Sequence, residues 1–308
     1  MKQIRTLVLI GSLTLLCGCG MDFDLGPRAT QEFHYSYAMQ PGGHLEVDNH
    51  NGSIEIIGWD RDAVDVSGTK YAPSNEELKE VRIKVDVSGA IASIVTESPQ
   101  GWGNYGVNYT IHLPRNTAVS RAKSSNGSVS AEDMSSGGSL VSTNGRISLR
   151  RDDGNFDART SNGNVEFEDC TGVERAETTN GSIRGQLKSG AFEVRTSNGS
   201  VDLALSKPLP NATLRANTTN GSIKLALDNF AGNPIRAETT HGSVTLRLPH
   251  DTDAHIDAHT NLSTISSELS VAAEESDKHE LRGQIGKGGP LISAITTTGS
   301  IRIEDATH

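Results

Sequence analysis

The chain is poor in aromatic residues and in cysteine, and each shortage excludes a class of protein. Only 4% of its 308 residues are Phe, Trp or Tyr, and only three are Cys. So few aromatic rings leave little surface for stacking on nucleic-acid bases, and so few cysteines cannot build a disulfide framework. A formal net charge of −10 also argues against binding to phosphate backbones or to an anionic membrane surface. We therefore expect no nucleic-acid partner.

Long hydrophobic runs are also missing, and the main apolar stretch lies at the amino terminus. Lys2 and Arg5 precede the largely apolar residues 6–16, which are too few for the ~20 residues of a transmembrane helix. A basic start followed by a short apolar stretch is typical of an export signal. We therefore expect a signal peptide over residues 1–18.

The end of this signal, Leu16-Cys17-Gly18-Cys19, resembles the cleavage site of bacterial lipoproteins. The resemblance implies that Cys19 is the lipid attachment residue and that the protein meets a membrane only through this lipid. Because Gly20 rather than Asp follows, it also implies sorting to the outer membrane of a Gram-negative bacterium. The alternative is an ordinary signal peptide that is cleaved nearby.

Glycine is abundant, and most of it follows an internal repeat. Asn-Gly pairs recur every 18 residues and then after 22, at Gly127, Gly145, Gly163, Gly181, Gly199 and Gly221. His241-Gly242 continues the series, and Asn51-Gly52 and Thr298-Gly299 lie 75 residues before and 57 residues after it. A fixed period near 20 residues is the signature of a solenoid. The last gap has room for about three more units.

Each unit predicts two strands that flank the glycine. Aliphatic residues stand two and four positions after it, as in Val201 and Leu203, and this period of two indicates a strand with one buried face. Small apolar residues stand five positions before it and Ser or Thr three positions before it, as in Val194 and Thr196. Asn-Gly supplies residues that tolerate positive φ at the corner.

This regularity favours coiling over hairpins. We therefore predict an all-β fold, a single-stranded parallel β-helix with ~18–22 residues per coil, with Thr and Asn ladders at one corner. Outward positions then carry alternating charges on successive coils, in the rows Glu166, Arg184, Asp202, Lys224 and Arg159, Glu177, Arg195. Adjacent opposite charges would attract.

Segments outside the repeat predict the ends and the interruptions of the solenoid. Ser74-Asn75-Glu76-Glu77 reads as a capping box that opens a short helix. We expect Phe33 to Gln40 and the acidic pair Glu304-Asp305 to cap the two ends. The domain boundaries are then residues 1–18 for the signal, 19–40 for a tether and cap, and 41–308 for the solenoid.

One strand carries residue types that bind metals. Asp251, Asp253, His255, Asp257 and His259 alternate, so they point off one face. His255, Asp257 and His259 are the candidate metal ligands, but the same alternation turns them toward solvent, because Ile256 and Ala258 point inward. A solvated outer face is therefore the preferred interpretation, with no metal and no cofactor.

Two further groups allow alternative interpretations. Trp102, Tyr105 and Tyr109 lie in a Gly-rich stretch and are candidates for surface contact with a partner or glycan, or for a packed cap over the core, which we favour. Cys170 is a candidate nucleophile or, as we favour, a small structural residue.

The repeat also carries a family resemblance. The opening 43–47 and 51–60, the Thr-Asn-Gly-Ser coils, and Gly283-Gln284-Ile285-Gly286 before 297–301 resemble the bacterial putative-adhesin family. The resemblance covers about residues 40 to 305 and implies a right-handed β-helix on a secreted or lipid-anchored protein. It implies no catalytic residues.

These patterns favour a non-enzymatic, lipid-anchored solenoid of the cell envelope that contacts an envelope protein or glycan or acts as a structural spacer. The alternative is a polysaccharide-active or metal-dependent enzyme on the same scaffold. We find no paired carboxylates, no HExxH and no phosphate loop that would support it.

We predict that Cys19→Ser releases the exported protein from the membrane into the soluble fraction, because the variant cannot be acylated. Acyl chains contribute about 0.8 kcal/mol per buried CH₂, so the wild type should stay bound during washing. Fractionation followed by immunoblotting measures the difference. A variant that remains with the membrane contradicts the assignment of Cys19.

Overall fold

The computed structural model describes residues 29–98 and 104–306, which form one 25-stranded β-sheet wound into a solenoid. The first strands are β1 (Ala29–Ala38), β2 (His44–Asn51), β3 (Ile54–Trp59), β4 (Ala63–Ala72), β5 (Arg82–Ser88), β6 (Ile91–Glu97) and β7 (Gly106–Pro114), with helix α1 (Asn75–Glu80) between β4 and β5. No helix among the described residues is long and apolar enough to cross a membrane.

The central coils are built from strands joined at the predicted corners. They are β8 (Ala118–Asn126), β9 (Val129–Glu132), β10 (Gly138–Ser142), β11 (Ile147–Arg150), β12 (Phe156–Asn162), β13 (Val165–Asn180), β14 (Ile183–Asn198), β15 (Val201–Pro208), β16 (Leu214–Asn217), β17 (Ile223–Leu227), β18 (Ile235–Glu238) and β19 (Val244–Leu248).

The last strands are β20 (Ala254–Thr260), β21 (Ile265–Ser267), β22 (Val271–Ser276), β23 (Glu280–Ile285), β24 (Leu291–Thr296) and β25 (Ile301–Asp305).

Strands of successive coils pair in parallel and in the register that the glycine spacing predicts. Ile183 pairs with Val165 and Val201, and Val201 pairs with Ile223. The strands that enter the Asn-Gly corner stack into one face of the solenoid, which we call the entry face, and the strands that leave it stack into the exit face. The predicted parallel β-solenoid is thus confirmed.

The core is a set of aliphatic columns inside the coil. The residue two positions after each corner glycine is at most 1% exposed from Ile54 to Ile301, and the small residue five positions before it is buried equally well. Because side chains alternate along a strand, this inward set is the one that period two predicts. The inside–outside assignment of the repeat is confirmed.

The corner is held by the buried hydroxyl three residues before the glycine. From Ser124 to Thr296, each of these hydroxyls donates to the carbonyl of the corner glycine of the adjacent coil at 2.8–2.9 Å. Beside it, the Asn side chains bond to one another from Asn51 to Asn220, each Nδ2 donating to the preceding Oδ1 at 2.7–2.9 Å. Both predicted ladders are present.

The role of the corner glycine differs from the prediction. Of the described corner glycines, Gly52 and Gly242 have positive φ, whereas Gly145 and its repeats do not. What these glycines provide is space, because a Cβ on Gly145 would overlap the carbonyl oxygen of Gly127, and the same holds along the stack. The prediction that glycine stands at the corner because it tolerates positive φ was therefore wrong for most coils. Glycine is required there because adjacent coils approach each other closely.

Both ends depart from chain order. At the amino-terminal end β2 and β3 pair with β8 and β9 on one side and with β6 and β7 on the other, so the 75-residue gap closes into adjacent coils. Antiparallel strands then cover the exposed edges, with β5 on β6, β4 on β7 and β1 on β4. Phe33 lies on β1, at this end of the sheet. The predicted helix is α1, whose N-cap Ser74 accepts a bond from the Glu77 amide at 3.2 Å.

The carboxyl-terminal end corrects two expectations. The gap after Gly242 contains one coil, β20 and β21, and an antiparallel hairpin of β22 and β23, rather than about three coils. β24 pairs with both β18 and β20, and β25 pairs with both β19 and β21. Glu304 and Asp305 therefore lie inside the stack and do not cap it. The hairpin covers β20 instead.

Outward charges stand in the predicted rows. Glu166, Arg184, Asp202 and Lys224 are paired neighbours, as are Arg159, Glu177 and Arg195. Among the residues that the structure describes, none of these neighbours forms an ion pair within 4 Å; Glu166 instead contacts Arg146 at 3.4 Å, and Arg159 contacts Asp157 of its own strand at 2.6 Å. Exposed pairs of this kind contribute little to stability.

We expect Val201→Asp to lower the free energy of unfolding by about 3 kcal/mol or more, because it buries an unpaired carboxylate in the aliphatic column. Asp202→Val changes the neighbouring exposed residue and should cost within about 0.5 kcal/mol. Paired denaturant titrations measure both values. A larger loss for Asp202→Val contradicts the register.

Candidate interaction surface

The entry face presents a row of hydroxyl side chains toward solvent. Each stands two residues before a corner glycine, between a buried Ser or Thr and an exposed polar residue, which is Asn except at His241 and Thr298, so alternation turns it outward. We call this set the hydroxyl row; its members are Ser125, Thr143, Ser161, Thr179, Ser197, Thr219, Thr240 and Thr297. The stacking of the coils holds these groups at the spacing of paired strands, ~4.8 Å.

A groove interrupts the entry face near its carboxyl-terminal end, with a volume of ≈ 430 Å³. Its lining comes from β14, β16, β18 and β24 and consists of Arg195, Ser197, Asn217, Thr219, Glu238, Thr240, Ile295 and Thr297 together with the buried threonines beneath them. Arg195, Asn217, Glu238 and Ile295 are successive neighbours in the strand register and form one row of this lining.

The lining of the groove contains an acidic and a basic side chain. Glu238 is paired with Arg236 of its own strand at 2.6 Å. Arg195 is exposed and has no ion-pair partner within 4 Å among the residues that the structure describes. The Asn217 Oδ1 atom is buried, and no group within residues 29–98 and 104–306 donates a hydrogen bond to it.

The candidate metal ligands point outward as predicted, but they are engaged separately. Asp257 lies 3.4 Å from Arg282 of β23, and His259 Nε2 lies 2.9 Å from Asn261 Oδ1. Asp253 accepts the Lys287 amide at 2.7 Å. Within residues 29–98 and 104–306, no group of three or more His, Cys, Asp or Glu is arranged to hold a metal ion.

Two of the three candidate aromatic residues, Tyr105 and Tyr109, are buried. Tyr105 and Tyr109 are only 6% and 1% exposed, so their candidacy for surface contact is wrong, and they pack in the core, in agreement with the favoured interpretation. The Tyr109 hydroxyl bonds to Thr96 Oγ1 at 2.7 Å, and burial raises the pKa of Tyr109 to about 12. Trp102 and Cys19 lie outside the described residues.

Cys170 is a structural residue rather than a nucleophile. The side chain is fully buried, and burial raises the pKa of its thiol to about 12, which keeps it protonated. The structure also brings two buried acids to this region, Asp152 and Glu174, which the sequence interpretation missed. Glu174 stands seven residues before Gly181, on the inward parity of Ala176 and Thr178. This inward-facing position in the repeat was the sequence signal that would have identified Glu174 as buried.

The fold and surface define a β-solenoid with a polar entry face, and comparison with known proteins assigns its family. The family model Toastrack DUF4097 matches residues 43–304. The chain therefore belongs to the Toastrack family. None of the curated proteins compared matches the chain.

Three solved structures match the chain, and each match covers 89% of it. A protein of Clostridium sporogenes described as a putative cell adhesion protein is 13% identical, with all of its chain covered and a TM-score of 0.25. A putative adhesin of Parabacteroides distasonis is 11% identical, with 97% covered and a TM-score of 0.45. One of Bacteroides fragilis is 15% identical, with 97% covered and a TM-score of 0.37.

We expect the purified protein to contain no stoichiometric zinc and to show no shift of melting temperature with divalent cations. The double variant His255→Ala with His259→Ala should leave both measurements unchanged, since each side chain has its own partner or faces solvent. Elemental analysis and thermal shift assays test this. Zinc that is bound by the wild type and lost from the variant contradicts it.

Proposed function

We propose that the chain is a non-enzymatic, lipid-anchored protein of the cell envelope, which uses its entry face to contact an envelope protein or glycan. The observation that carries this proposal is the fixed register of the hydroxyl row, the Asn ladder and the groove beside them. Groups that are already ordered lose less conformational entropy on binding. Glycans and polar protein surfaces offer the hydroxyl and amide partners that such a face would bind.

Two further features support the proposal. Three groups with strongly raised pKa values, Asp152, Glu174 and Cys170, lie inside the core and away from the groove, where a substrate would not meet them. The signal sequence and Cys19 favour export and lipid attachment, with the outer membrane of a Gram-negative bacterium as the proposed location. The segment after Cys19 would then tether the first strand to the membrane.

We expect Thr219→Trp to weaken binding to envelope fractions at least tenfold, a loss of about 1.4 kcal/mol, because an indole at this exposed position fills the groove. The measurement is co-sedimentation of the purified protein with peptidoglycan sacculi and, separately, with outer-membrane vesicles. Retention on one fraction and not on the other distinguishes a glycan from a membrane-protein partner.

The matched control is Thr245→Trp, which makes the same change on β19 of the exit face. It should bind like the wild type. Equal loss in both variants, or a wild type that binds neither fraction, contradicts a contact role for the entry face.

A further inference from the structure

Glu174 occupies a position in the core that is otherwise apolar. It pairs in register with Phe192 on the next coil, and its neighbour Arg175 pairs with Asp157, which places Glu174 beside Phe156 on the preceding coil. Later coils fill the same position with Leu214, Ile235, Ile292 and Ile256. A carboxyl group thus stands between two phenyl rings in an aliphatic column.

The Glu174 carboxyl group has no compensating partner of normal geometry. The residue is 0% exposed, and within the described residues neither oxygen has a hydrogen-bond partner, although the nearby Phe156 amide lowers its pKa in part. The adjacent cation, Arg175, points outward to Glu193 at 3.1 Å. An ionised carboxylate in such a place would be very costly, and a neutral acid is much less so.

The titratable groups that act on Glu174 from inside the coil are Asp152 and Cys170. Asp152, on the segment between β11 and β12, is also 0% exposed, but it accepts bonds from the amides of Met134 at 2.8 Å and Arg150 at 3.2 Å. These bonds favour its charged form. The Cys170 thiol carries no charge. The two acids therefore differ in how well each can ionise.

We propose that Asp152 and Glu174 form a buried acid pair in which Glu174 holds the proton, and that loss of this proton weakens the coil at its centre. The Glu174 carboxyl group is thus a buried proton-binding site on β13, in the middle of the stack. Since each coil of a solenoid contacts only its neighbours, ionisation here separates the coils on either side.

The direction of the effect follows from the pKa values. Burial raises the pKa of Glu174 to about 9, from 4.5, and the pKa of Asp152 to about 7. Between 4.5 and 9 the folded chain keeps a proton on Glu174 that the unfolded chain releases, so rising pH favours unfolding across this window. One retained proton changes the unfolding constant by about tenfold per pH unit.

The test compares denaturant unfolding of the full chain from pH 5 to pH 9 for the wild type and Glu174→Gln, which cannot ionise. We expect the wild-type unfolding constant to rise relative to that of the variant by up to about tenfold per pH unit. Glu177→Gln makes the same change three residues along β13 on the exposed side, and it should follow the wild type. Parallel curves for the wild type and Glu174→Gln overturn the proposal.

A second variant and a spectroscopic readout keep the test independent of whether Glu174→Gln folds well. Glu174→Leu gives the coil the residue found at position 214 and should also lose the part of the pH dependence that Glu174 causes, most clearly above pH 7, where Asp152 is ionised. Infrared difference spectra at pH 8, where Asp152 is mostly ionised, should show the carbonyl band of a protonated carboxylic acid in the wild type and much less of it in Glu174→Leu. Identical spectra, or an unchanged pH dependence in Glu174→Leu, overturn the proposal.

Discussion

The close approach of adjacent coils at the Asn-Gly corner is the constraint on which the rest of the structure depends. A Cβ at Gly145 or at its repeats would overlap the carbonyl oxygen of the coil beneath it. That same oxygen accepts the hydroxyl of the buried Ser or Thr, so one contact needs both a missing side chain at the glycine and a short polar side chain three residues earlier. With the corner fixed, the register of the core columns and of the outward rows follows.

The order of coils in space solves the problem of exposed sheet edges. A stack of parallel strands ends in unpaired backbone groups at both sides, which would pair with other chains. Here antiparallel strands cover these edges, β4 and β5 at one end and β23 at the other. Because antiparallel strands run against the coil direction, the stack cannot simply continue past them.

The repeat predicted the central solenoid well because each glycine marks a register that every neighbouring coil must share. Period two then assigned residues such as Val201 and Thr196 to the core correctly. The ends were not predictable in this way, since the insertion of β24 and β25 between earlier coils leaves no local trace in the sequence. Glu174 was missed because a charged residue was not expected on an inward position, and burial of Tyr105 and Tyr109 depends on strands far away in the sequence.

The placement of the last coil determines how the stack can be completed during synthesis. β24 and β25 pair with β18 and β19 on one side and with β20 and β21 on the other. A chain that emerges from its amino end can add coils one after another only as far as β19. The coil of β20 and β21 then has to wait, without its parallel neighbour, until the last residues arrive to fill the space. Assembly of this end is therefore an insertion, and a chain that stops early lacks an interior layer of the stack.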